Sequence, residues 1–195
     1  MSASIDERWP RVVAIGGPLS AAAWLLARRR LTPEQQWRWA ALPLLFAHQF
    51  EEWVWPGGFM QWLNREVFAS SEPHVPLDPH TAFVVNVPFG WGASLAVSTL
   101  GEAIPALPIA VGVSHTGNAM LHLGWAARHR RWDPGAATAA ALLVPWSAHG
   151  LRRRLGPGGA PAGHQLAGII AGAVSSARLM TTLRGRVARG YAAAD

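Results

Sequence analysis

The residues of this chain with the most chemical capacity are His48, Glu51 and Glu52, one imidazole and two carboxylates at i, i+3 and i+4 inside an apolar run. At 100° per residue these positions share a helix face, so all three aim into one space. Two adjacent carboxylates in a low dielectric repel, and a proton or a cation must settle between them. A divalent metal is the simplest such cation. A second apolar run carries His115, Asn118 and His122 at i, i+3 and i+7, again on one face. His48, Glu51, Glu52, Asn118 and His122 together offer imidazole nitrogens, carboxylates able to bridge, and an amide oxygen, a mixture suited to iron, zinc or manganese. His115, Asn86 and His80 are additional candidates, His80 because it borders a loop that can reach over the site. His74, His129, His149 and His164 read as surface residues.

Composition says which elements must position this set. The 195 residues are 50% hydrophobic and 14% charged, with 11 Trp against one Tyr and no cysteine. Without cysteine there is neither disulfide nor thiolate, so a metal must take N and O ligands. Mean hydropathy is only +0.14, because 17 basic residues, all Arg, gather in short clusters between purer apolar stretches. A net charge of +6 would suggest nucleic acid for a soluble chain. Here Arg28 to Arg30, Arg128 with Arg130 and Arg131, Arg152 to Arg154, and Arg184 with Arg186 and Arg189 each follow an apolar run, where Arg anchors a helix end among lipid headgroups. The expected partner is the bilayer, and nucleic acid is excluded.

A membrane helix needs about 20 mostly apolar residues. Six runs qualify, at 12–27, 37–55, 81–100, 103–127, 135–151 and 160–180. Prolines at 33, 79, 134 and 161 sit near helix starts, and Gly101, Gly156, Gly158 and Gly159 break the chain between runs. The expected fold is an all-α integral membrane bundle of five or six transmembrane helices, one domain over 1–195, with a basic tail at about 181–195. Small residues crowd the last two runs, which read as closely packed scaffold. Phe59, Trp62, Leu63 and Val67 recur at helical spacing and predict a short interfacial helix. Residues 70–79 predict a loop over one mouth. Six crossings place Arg clusters on both sides, so the positive-inside rule gives no orientation.

At these residues the chain resembles the HXXEE family of multi-span membrane proteins, through His48-Gln49-Phe50-Glu51-Glu52. Trp55-Pro56-Gly57-Gly58-Phe59 is similar to that family's Pro-Gly-Gly-Phe turn, and Asn118-Ala119-Met120-Leu121-His122 to its Asn-Ala-x-x-His. Arg131-Trp132-Asp133-Pro134-Gly135, followed by Ala136, Thr138 and Ala139, resembles its Arg-x-Ser-Pro-Gly-x-x-Thr-Ala segment, with Asp133 in place of Ser. The resemblance covers about 40–150 and implies a His/Glu set in a membrane bundle without implying a reaction.

The functional expectation is a metal-dependent membrane enzyme acting on a lipophilic or small organic substrate. A diiron-type oxidase or oxygenase is favoured, with Glu51 and Glu52 ligating or bridging and acting catalytically, His48 and His122 ligating, and an electron donor or redox partner protein supplying electrons. A zinc hydrolase, with one glutamate as general base, comes second. A cation or proton-coupled transporter is the reading from another class, although the two halves contain no inverted repeat. The expected location is a membrane crossed several times, the cell membrane if the source is bacterial.

Overall fold

A computed structural model describes residues 4–192, with side chains through residue 189. Helix starts follow from local capping. The first helix, α1 (Ile5–Ala27), begins seven residues before its apolar run, because the Glu7 carboxylate accepts the Ser4 N–H at 3.2 Å. Thr32 and Gln35 cap α2 (Pro33–Trp39) reciprocally, satisfying donors that a helix start otherwise leaves unpaired. A turn at Ala40 leads into α3 (Ala41–Trp53). After the Pro56-Gly57-Gly58 turn come α4 (Phe59–Trp62) and a wider turn at Leu63–Val67. Next, α5 (Pro79–Val84) continues through Val85–Trp91 into α6 (Gly92–Leu100). That middle segment holds Pro88 and winds more loosely, with i to i+5 bonding, which accommodates a residue lacking an N–H. The remaining helices are α7 (Ala106–His129), α8 (Ala136–Thr138), which passes through Ala139–Leu143 into α9 (Val144–Leu155), and α10 (Ala162–Ala192). All regular elements among the described residues are helical.

Three stretches are long and apolar enough to cross a membrane: Ile5–Arg30, Pro79–Leu100 and Ala162–Arg189. This is fewer than the five or six expected from sequence. The other helices carry the polar groups: Arg38, His48, Gln49, Glu51 and Glu52 on α2 and α3, His115, Asn118 and His122 on α7, and Arg152 to Arg154 ending α9. The apolar stretches bury only 6%, 17% and 17% of their most hydrophobic windows, so their greasy surface faces outward, while Arg38, His48, Gln49, Glu52 and His122 on the other helices are buried.

Two contacts fix the inner helices. Trp37 and Trp146 stack at 4.6 Å, and each indole N–H donates to the other's backbone carbonyl at 3.0 Å. Gly150 lies so close to the Trp37 ring that a Cβ there would overlap it. Gly168 and Gly172, one turn apart on α10, bring its backbone against α7. A Cβ at Gly172 would lie 2.5 Å from the Ala110 carbonyl oxygen and 2.8 Å from Val113 Cβ. This is the close approach that small residues permit in membranes. Gly172→Val is expected to cost about 1–3 kcal/mol by overpacking, lowering the thermal midpoint in detergent by several degrees. Gly163→Ala, which faces open space, should leave the midpoint unchanged.

The helix expected at the interface exists, but its apolar face is covered by protein. Phe59, Trp62 and Leu63 pack with Leu77, Ala82 and Leu183, because the following loop folds back over them. Asn64 ties that loop down, donating to the carbonyls of Pro73 and Leu77 at 2.8 Å and accepting the Leu77 N–H at 2.9 Å. Asp78 caps α5 through the Thr81 N–H at 2.7 Å and accepts from Arg186 of α10 at 2.7 Å. Burial pushes the Asp78 carboxyl up, but the Thr81 backbone and hydroxyl bonds and the Arg186 guanidinium outweigh it and hold its pKa below the usual carboxylate value. A depressed pKa contributes stability above the unfolded value, about 3.9, and loses it as pH falls through the folded value. Amide protection factors across residues 70–78 should therefore drop in acid below about pH 4, and Asp78→Asn should hold them low at every pH.

Candidate metal centre

His48 and Glu52, one turn apart on α3, meet His122 of α7 in the interior, with exposures of 0%, 4% and 0%. Each offers one ligand atom, and the three atoms lie within 4.8 Å of one another. Glu52 Oε1 stands 3.4 Å from His48 Nε2 and 3.3 Å from His122 Nε2. A charge-assisted N–H to carboxylate bond would be about 2.7–2.9 Å. These longer separations, with all three ligand atoms within 4.8 Å of one another, are compatible with donors that converge on one ion.

The outer bonds of both rings orient them for coordination. Thr138 donates its one hydroxyl proton to Glu51 Oε2 at 2.5 Å, in preference to the Gly135 carbonyl at 3.3 Å. Its oxygen must then accept from His48 Nδ1, at 2.9 Å. That leaves the lone pair of His48 on Nε2, which accepts from Asn118 Nδ2 at 2.9 Å, so coordination at this nitrogen requires the Asn118 amide to turn aside. His122 gives its Nδ1–H to the buried Asp133 carboxylate. Its lone pair is therefore also on Nε2, a buried nitrogen with no hydrogen-bond partner among the described residues. A carboxylate or hydroxyl behind each imidazole is the support that metal-binding histidines use to fix tautomer and orientation. The donor set fits a divalent ion, and the orphaned nitrogen is the observation that tests the fit.

The surroundings hold these side chains in place. Trp62 stacks on His122 with centroids 5.7 Å apart and planes 12° off parallel, and Phe59 lies 5.4 Å away. Gly135 packs on the other ring contacts with φ at +118°, and a Cβ there would lie 2.5 Å from His122 Cε1. The second carboxyl oxygen of Glu52 accepts from Trp53 Nε1 at 3.2 Å.

These residues all fall within 39–149, the part of the chain matched by a family model described as "Protein of unknown function with HXXEE motif". The chain belongs to the HXXEE family. No curated protein and no solved structure matches it.

The two glutamates of the HXXEE pentad have different positions. Glu52, expected as ligand, bridge and catalyst, is buried between the two histidines. Glu51, expected as ligand, bridge and catalyst, lies outside the close group. It accepts the Ala137 and Thr138 N–H groups at 3.2 and 2.7 Å, capping the start of α8. One residue of offset on a helix is 100°, enough to send the two carboxylates to different partners. Asn118 stands at the edge of the group, its Nδ2 2.9 Å from His48 Nε2. His115 leans on the Trp146 ring at 5.4 Å and keeps Nε2 buried and unbonded. Asn86 joins a neutral amide chain, accepting from Gln49 Nε2 at 2.9 Å while Gln49 accepts from Trp91 at 2.8 Å. His80 points to Asp6 at 3.2 Å on the surface, so the loop lends no ligand.

Sequence reasoning missed Asp133, Gly135 and Thr138 as site residues. All three stand in the segment that carries the HXXEE resemblance, and its Pro-Gly and Thr were the available signal.

Proposed function

We propose that this HXXEE protein is a membrane-embedded metalloenzyme in which His48, Glu52 and His122 hold one divalent ion, iron first and zinc second. The observation that carries the reading is the convergence of one donor atom each from buried His48, Glu52 and His122 within 4.8 Å of one another, with His122 Nε2 left without a hydrogen-bond partner among the described residues. Three protein ligands leave a coordination position open, as in catalytic rather than structural sites. Two histidines and one carboxylate are the donor set of mononuclear iron oxygenases and also of zinc hydrolases. With Glu51 committed to α8, one carboxylate remains for the centre, which favours a single ion over the two-iron form expected from sequence.

Bound iron would supply oxidative chemistry with O₂ and a reductant, delivered by an electron-donor protein or a small donor. The chain's own residues bind and orient: Asp133 and Thr138 fix the two imidazoles, and Glu51 fixes Thr138. Phe59 and Trp62 pack on the His122 ring, and this aromatic surface suits a lipophilic or small organic substrate arriving from the bilayer. Six crossings are proposed. The apolar stretches are joined by α2 with α3, α7, and α8 with α9, each spanning at least 20 residues, or about 30 Å at 1.5 Å per residue.

Elemental mass spectrometry on the detergent-purified full chain tests the reading. Near-stoichiometric iron is the expected result. Zinc at that level moves the reaction to hydrolysis, with the same ligands. No metal in well-folded, metal-supplemented protein overturns the centre and leaves transport or a structural role.

A further inference from the structure

A second polar site lies away from the metal centre, at the end of the bundle where three apolar stretches meet. A cavity of about 330 Å³ is lined by Glu34, Arg38, Glu102, Arg153 and Arg154, among others. Its remaining walls include Gly101, just past the stretch ending at Leu100, and Pro161, just before the one starting at Ala162. Glu34 follows closely on the stretch ending at Arg30. Three apolar stretches therefore terminate at one level around it, which is the level of lipid headgroups.

Two guanidiniums, that of buried Arg38 and that of partly buried Arg154, are half used. Arg38 is 4% exposed and donates Nη2 to Glu102 at 2.9 Å. Its Nε, on the same edge of the guanidinium, is buried and has no hydrogen-bond partner among the described residues, with Glu34 at 3.9 Å too distant to count as a hydrogen bond. Arg154 repeats the arrangement. Nη2 meets Glu34, Nε is buried without a partner, and the guanidinium lies over the Trp37 ring at 4.8 Å. Among the described residues, Arg153 has no carboxylate partner within salt-bridge distance. Three positive charges face two negative ones, and Glu102, with an 81% exposed side chain, is free to swing out. Each fork presents geometry suited to two oxygens of a tetrahedral anion, which a single carboxylate oxygen leaves incomplete.

We propose that this cavity binds a phosphate group, supplied by an anionic phospholipid headgroup that displaces Glu102 from Arg38. The proposal is independent of the metal centre. The test is native mass spectrometry of the full chain released from detergent with phosphatidylglycerol, beside a thermal-shift titration with inorganic phosphate. Retained lipid is expected, falling several-fold in Arg153→Gln and rising several-fold in Glu102→Gln, which removes the competing carboxylate. A purely structural ion-pair network predicts no change in lipid retention in either variant, and that result overturns the proposal. Both variants alter exposed side chains, so the folded protein remains available for the measurement. A shift with inorganic phosphate and no retained lipid would overturn the lipid assignment while keeping the phosphate chemistry. No binding of either probe overturns both.

Discussion

Glu52→Ala is expected to weaken metal binding by at least about a hundredfold, and Glu51→Ala by about ten- to a hundredfold, because loss of an outer-shell support costs that much and loss of a ligand costs more. The two residues are adjacent and chemically identical, so composition and spacing give no reason for a difference. The difference comes from their partners. Glu52 Oε1 stands 3.3 and 3.4 Å from the two imidazole nitrogens, whereas Glu51 reaches His48 only through the Thr138 hydroxyl. Competitive titration of the apo protein against a chelator of known affinity measures both. Thr138→Val should match Glu51→Ala, since either breaks the same chain, and Thr138→Ser should recover most of the loss. Equal losses in the two glutamate variants would remove the distinction and return Glu51 to the coordination sphere.

Gly135→Ala should disturb stability and metal binding together. The residue adopts φ of +118°, and the added methyl would sit 2.5–3.0 Å from three atoms of the His122 ring. The backbone penalty alone is about 1–3 kcal/mol, and the ring must also move away from Asp133 or from the centre. Gly158→Ala separates the two effects. Gly158 also has positive φ, +72°, but a Cβ there meets nothing within 4 Å, so this variant carries the backbone penalty without the collision. The expected outcome is a lowered thermal midpoint in both variants and a loss of metal affinity in Gly135→Ala alone. Unchanged affinity there would mean that His122 has room to retreat and still coordinate.

Both expectations rest on a segment that sequence reasoning passed over. Asp133 and Thr138 are ordinary polar residues in a short connection, and nothing in their type separates a capping or turn role from support of a histidine. They matter because α8 starts beside α3 and α7, placing Asp133 behind one imidazole and Thr138 behind the other. The connection's only local signal was its resemblance to the HXXEE pattern.

The sequence by itself determined the helical class, the family, and the two helices that bear His48, Glu52 and His122. Those follow from hydropathy, capping residues and helical periodicity, all of which act within about one turn or one apolar run. Tertiary structure alone decided which of two neighbouring glutamates faces the histidines, which helices present apolar surface outward, and why His80 and Asn86 stay away. A 100° step between adjacent residues is fixed locally, but the direction a helix face points is set by what packs against it. The apolar face of α4 illustrates the same limit. Its spacing predicts a greasy surface, and only the returning loop, pinned by Asn64 and Asp78, determines that protein rather than lipid covers it.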